Sequence, residues 1–411
     1  MTEARIAIPN LVDPTTYVEH DMSKVWRQLR SEDPVHWHPS TAAGPGFWVV
    51  TRYADIAQVL RDDTRFTSER GNVLTTMLQG GDIAAGRMLA VTDGAHHTEL
   101  RKLLLQAFAP RVLEGVTQRV RQSIRRVLCE AVERGKCDFA KDVASLIPLE
   151  TICDLLNVPI GDRQNILRLT KSALMSDESD EDEIDDRTAR NEIMVYFADL
   201  VAERRKTPGS DPISLMAGAK FNGRYMPDED IILNCYSLIL GGNQTTRLTM
   251  IGAVHALIQN PAQWRALKEG QVTLESACDE ALRWTTPAMH FGRIALTSAE
   301  LSDQSIAPGD LVTLWLSSGN RDEAAFPEPD RFDLARSPNK HLSLGHGRHF
   351  CIGSYLGRVE IIAMLDALRT FARRIEQTGT ALRIYSNFLQ GISSLPVLME
   401  GEPNGLASWQ E

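Results

Sequence analysis

"HLSLGHGRHFCIGSYLGRVE", residues 341–360, sets one cysteine, Cys351, among Gly345, Gly347 and Gly353, with His341, His346 and His349 before it and an apolar run after it. Three readings of Cys351 compete. A buried cysteine is commonly inert. Zinc held by Cys351 and a histidine needs a second ligand pair, and none follows nearby. A thiolate at a helix start is favoured by the helix dipole and free backbone N–H groups. Glycines also let a backbone lie against a flat macrocycle, which suits an axial thiolate ligand to haem iron.

Outward from this loop the chain reads mostly as helix. "TELRKLLLQAF" puts Leu100, Leu103, Leu104, Ala107 and Phe108 on one face, and Pro110 stops it. A second helix is expected from Asp228 to Asn260, opened by "PDED" and closed by Asn260-Pro261. Its 33 residues would span roughly 50 Å. Asn234, Asn243, Gln244, Arg247 and His255 interrupt it, so it is no membrane span. Strands are expected at "FWVVT" (47–51) and "LVTLWL" (311–316). No repeat or flexible linker appears, which predicts a single domain over 1–411. The run "DESDEDEIDD" (177–186) holds eight acids in ten residues and reads as a solvated loop, or else as a charged lid over a binding site.

The net charge of −10, with no basic tract, argues against nucleic acid or an anionic membrane as main partner. The N-terminus lacks a signal-peptide core, so a cytoplasmic protein is expected. The six cysteines form no CxxC pair, and no disulfide framework is expected.

Three other stretches stand out. "LILGGNQTTR" (238–247) places Gly241 and Gly242 mid-helix, each costing about 1 kcal/mol relative to alanine, which suits a close helix–helix contact. "ESACDEALRW" carries Glu280 and Arg283 at i, i+3, a weak signal alone. "DGAHHTELRKL" puts His97 and Arg101 on one helix face, as a solvated face or as two donors to an anion.

Gly345-His-Gly347-Arg-His349-Phe-Cys351-Ile-Gly353 resembles the haem-binding signature of the cytochrome P450 family. Leu344 stands where bacterial soluble members usually have phenylalanine, which changes the packing beside the sulfur. The resemblance covers nearly the whole chain and implies a mainly α, helical-prism fold with small peripheral sheets. It implies that Cys351 ligates the iron of a b-type haem (iron protoporphyrin IX). It implies propionate contacts from His97, Arg101, Arg293 and His349, while His96 does not align. It also implies that Glu280 and Arg283 form a structural triad with Arg331 of "PEPDRF". Gly241, Gly242 and Thr245 match the segment of the central helix that opens to dioxygen, and Gln244 replaces the usual acid.

The implied activity is dioxygen activation by a haem-thiolate monooxygenase of natural-product tailoring type, with Thr245 as distal hydroxyl. No reductase domain follows residue 411, so electrons are expected from NAD(P)H through a ferredoxin reductase and a ferredoxin. The ferredoxin would dock near Lys102, Arg111, Arg348 and Arg358. A monomer is expected. Alignment with the family assigns Leu89, Leu238, Ala288, Met289, Phe388 and Leu389 to an apolar substrate pocket. The substrate is a small organic molecule, possible forms including an acid tethered to a carrier protein. Oxidative coupling without oxygen insertion, and haem binding without turnover, are the alternatives to hydroxylation.

Overall fold

The computed structural model describes residues 7–174 and 186–402. The acidic 177–186 stretch lies, save for Asp186, outside the described residues. The elements that build the site are α1 (Tyr53–Arg61), α2 (Gly94–Ala107), α3 (Pro110–Arg134), α4 (Ile147–Leu155), α5 (Asp186–Lys206), α6 (Asp228–Gln259), α7 (Leu274–Thr285) and α8 (Ser354–Phe371). Five strands form the main sheet: β1 (Val35–His38), β2 (Phe47–Val50), β3 (Phe66–Thr67), β4 (His290–Ala295) and β5 (Leu311–Trp315), in the order β1-β2-β5-β4-β3.

The apolar stripe of α2 is buried through Leu100, Leu104 and Ala107. Pro110 ends that run as expected and also opens α3, since a first-turn proline forfeits only a backbone N–H that has no helical partner. Helix α6 starts after Pro227 with Asp228, Glu229 and Asp230 in its first turn, where the dipole favours negative charge. It packs on α4, α5, α7 and α8, and one apolar core runs from Leu89 to Met399 through it. Both sequence-expected strands form. They pair in parallel, with Thr313 opposite Val49, while Thr313 faces Gly292 across the antiparallel β5–β4 pair.

The bracing network differs from expectation at one residue. Arg283 donates to both oxygens of Glu280, at 2.8 and 2.7 Å, and both side chains are fully buried. Arg331, however, points outward and pairs with Glu328. Arg336 takes its place, its Nε 3.2 Å from Glu280 Oε2. Arg331 contributes only its carbonyl, which accepts from Arg283 and Arg336. The physical reason is coordination: the Glu280 oxygens also accept from Asn339 Nδ2 and the Asp333 amide. Arg336 meanwhile reaches the carbonyls of Pro327 and Glu328, so the chain from 327 to 339 wraps this one carboxylate. Among the described residues no helix is long and apolar enough to cross a membrane.

Candidate active site

The cysteine loop is built on two left-handed glycines, Gly345 (φ 73°) and Gly347 (φ 72°), a conformation that side chains disfavour. The Gly345 amide donates to Leu342 O and the Cys351 amide to Leu344 O, at 2.7 and 2.8 Å. A Cβ on Gly347 would collide with the Leu60 carbonyl at the end of α1. Gly353 then caps α8. Burial pushes the Cys351 thiol up, and the Gly353 N–H together with the nearby Arg101 charge draws it back toward the thiolate. Leu344 is half-buried against the main core.

On α2, His97 is buried, and its Nε2 has no partner among the described residues. Burial, followed by the charges of His349 and Arg101, lowers it to about 4. Its ring lies 4.4 Å from that of His349. Arg101 donates to the Phe350 carbonyl at 2.5 Å. Arg293 is buried in β4 and donates to its neighbour's carbonyl, Gly292 O, at 2.8 Å. Burial draws it down to about 10, and Asp93 opposes that fall. His96 turns away, edge-on to Phe221 at 5.3 Å.

His349 has a partner that sequence reasoning missed: Asp93 Oδ1 lies 2.7 Å from its Nε2. Asp93 is the N-cap residue of α2 yet gives no side-chain cap. Its other oxygen accepts from Thr67 Oγ1 and the Ser68 amide, both at 2.6 Å. A cap-type residue before "GAHH" was the available signal. The other histidine of the loop with a carboxylate partner is His341. His349 Nε2 is taken by Asp93 and His341 Nε2 by Asp279. Among the described residues no group of three or more His, Cys, Asp or Glu side chains is arranged to hold a metal ion.

The two glycines of α6 face different neighbours. A Cβ on Gly242 would sit 3.2 Å from Ile152 of α4, so this glycine permits the helix contact. A Cβ on Gly241 would meet nothing within 4 Å. Thr245 Oγ1 donates to the Gly241 carbonyl at 2.9 Å. Gln244 is buried, and its Oε1 accepts from Arg247 at 3.2 Å. Helix α8 meets α6 just beyond this point, since a Cβ on Gly357 would lie 3.4 Å from Thr246 Oγ1. Asn234, Leu238, Gly241, Thr245 and Leu248 recur at helical spacing and share one face of α6.

That face leads to the expected pocket residues. Leu248 packs with Ala288 and Leu389, which also bridge each other, and with the half-buried Phe388. Leu89 is buried and Leu238 half-buried, both against the main core. Met289 belongs to a separate buried cluster with Leu74, Met77, Leu311 and Trp315. Phe291 and His290, from the same 286–291 stretch as Ala288, stand edge-on to Phe388, at 5.9 and 5.5 Å.

Of the four cations expected at a partner surface, Arg348 is paired with Asp63 and Arg358 with Asp279. Lys102 and Arg111 are exposed. Leu105, Val112, Phe350 and Tyr355 are exposed apolar or aromatic side chains on the same segments.

A half-buried cysteine just before a helix start, a buried histidine whose Nε2 has no partner among the described residues, a buried arginine whose side chain donates to its neighbour's carbonyl, and the open side of Gly241 on α6 together fit haem. The Cytochrome P450 family model matches residues 42–398. Cytochrome P450 NovI of Streptomyces niveus is 44% identical over 95% of this chain and 96% of its own length. The crystal structure of P450 OxyD, involved in the biosynthesis of vancomycin-type antibiotics, superposes with a TM-score of 0.89 at 32% identity, covering 96% of this chain and all of that one. P450BioI, solved in complex with an acyl carrier protein ligated to hexadec-9Z-enoic acid, superposes at 0.80 and 26% identity, covering 92% of this chain and 99% of that one.

Proposed function

The chain belongs to the cytochrome P450 family of haem-dependent oxidoreductases, and from that membership we propose that it hydroxylates a small organic acid of secondary metabolism presented on a carrier protein. Electrons reach it from NAD(P)H through a ferredoxin. The observation that carries the reaction type is the Thr245 hydroxyl, bonded to the Gly241 carbonyl beside open space on α6. The likeness to NovI and OxyD supports a tailoring role, and the P450BioI complex supports a carrier-held substrate.

When bound, haem supplies the reduction of dioxygen and the oxidation of a substrate C–H bond. Cys351 would hold the iron, with His97, Arg101, Arg293 and His349 on the propionates. The Gly353 N–H steadies negative charge on Cys351 Sγ, and Arg101 adds a positive charge nearby. Because Thr245 Oγ1 gives its proton to Gly241 O, its lone pairs remain free to accept a hydrogen bond from water. A neighbouring acid would deliver protons by ionising. Gln244 cannot, and its amide oxygen is engaged by Arg247. Proton supply therefore rests on Thr245 and water. Ala288, Leu389, Leu248 and Phe388 hold the apolar part of the substrate and exclude bulk water.

The test pairs spectroscopy with product analysis. The reduced carbon monoxide complex should show the red-shifted band of thiolate ligation, and Cys351→His should abolish it. Free acids and their carrier-protein thioesters are then offered with ferredoxin and reductase. Gain of one oxygen on the thioester alone supports the proposal. Turnover of free acids only, or loss of two hydrogens without oxygen gain, overturns it in favour of a free substrate or of oxidative coupling.

A further inference from the structure

One buried amide joins α6 to the segment that carries Leu89. The Asn234 side chain is 1% exposed, and its hydrogen bonds go to backbone. Its Oδ1 accepts from the Leu89 amide at 2.9 Å, and its Nδ2 donates to the Arg87 carbonyl at 3.0 Å, 147 residues away in sequence. A third bond, Nδ2 to Asp230 O at 2.7 Å, fixes the side chain to its own helix. Two further contacts flank it. Arg87 reaches Asp230 and Glu229 in the first turn of α6, both at 2.6 Å. Ala84, Val91 and Leu233 form a small buried cluster with Met88 and Met194, joining the segment to α6 and α5.

Asn234 lies two helical turns before Gly241 on the same face, about 10 Å along the axis. Leu89 therefore sits at one end of the line that runs through Gly241 and Thr245, and Leu248 with its Ala288 and Leu389 contacts stands at the other. A carboxamide is suited to this place because it offers acceptor and donor at once to a backbone N–H and C=O. An apolar residue would leave both backbone groups buried and unpaired.

We propose that Asn234 is a positioning residue that sets substrate access and selectivity by clamping residues 87–89 as the far wall of the substrate chamber. The inference rests on the pocket assignment of Leu89. It makes the chamber's length a property of one side chain in α6 that need not touch the substrate.

The test uses the ferric holoenzyme and 4-phenylimidazole, an azole that must cross the chamber to reach iron. In Asn234→Ala, the Leu89 amide should exchange with solvent about tenfold faster or more. The association rate of 4-phenylimidazole should rise several-fold, with a small change in Tm. Asn234→Asp keeps the acceptor for the Leu89 amide and should retain most of its protection, which also covers the case in which the alanine variant folds poorly. Unchanged Leu89 exchange in Asn234→Ala would overturn the clamp. Faster exchange with unaltered azole kinetics and affinity would overturn the assignment of Leu89 to the chamber, and the selectivity role with it.

Discussion

Asp93 and His349, 256 residues apart, meet at 2.7 Å, so one carboxylate ties the start of α2 to the cysteine loop. The same carboxylate holds β3 through Thr67 and Ser68. Burial alone would raise Asp93, but the hydrogen bonds from His349, Thr67 and Ser68 outweigh it and hold the carboxyl well below the usual range. Its stabilisation is therefore present above about pH 4, the unfolded carboxylate value, and is lost as pH falls below it. Asp93→Asn should lower stability by about 2 kcal/mol at pH 7 and speed haem transfer to excess apomyoglobin. Unchanged transfer would restrict Asp93 to a folding role.

Arg336 and Arg331 separate cleanly. Breaking a buried ion pair costs about 3–5 kcal/mol, so Arg336→Ala should fold poorly or melt far earlier. Arg331→Ala loses only an exposed contact with Glu328, worth about 1 kcal/mol or less. Thermal unfolding of the two variants side by side decides it, and equal losses would refute the reassignment.

His290 predicts an acid sensitivity. It is fully buried in contact with Trp315 and Phe388, its Nε2 accepts from the Leu74 amide, and burial lowers it to about 3. The folded protein keeps it neutral while the unfolded chain protonates below about pH 6.5. Stability is thus complete above pH 6.5 and falls between 6.5 and 3, by about 2 kcal/mol at pH 5 from this group. His290→Gln should flatten that part of the profile, measured by urea unfolding at pH 7 and 5.

The partner surface should depend on Lys102 and Arg111. Lys102→Glu with Arg111→Glu should raise the KM for ferredoxin and weaken its salt dependence, because rim charges act mainly on association. Arg358→Ala should act through stability instead, since it releases Asp279. If Arg358→Ala alone slows electron transfer while melting normally, the docking face lies closer to α8.

The cysteine loop, the long helix and the strand pair were legible because each depends on local rules: glycine conformation, helix caps and apolar periodicity. The choice between Arg331 and Arg336 was not. Both arginines flank the same turn, and which one enters depends on how residues 327–339 fold around Glu280. Asp93 was hidden for a related reason: its position announces a helix cap, while its actual partners lie on β3 and the cysteine loop. Asn234 read only as a polar break in an apolar helix until the backbone of 87–89 was beside it.

Gly241 and Gly242 are neighbours in sequence with unlike tolerance for change. Bulk added at 242 presses on Ile152 and would need a smaller side chain there in compensation, so those two positions should vary together. A Cβ added at 241 meets nothing within 4 Å beside Thr245. Alanine at 241 thus changes the space next to the Thr245 hydroxyl without repacking the helices that support it.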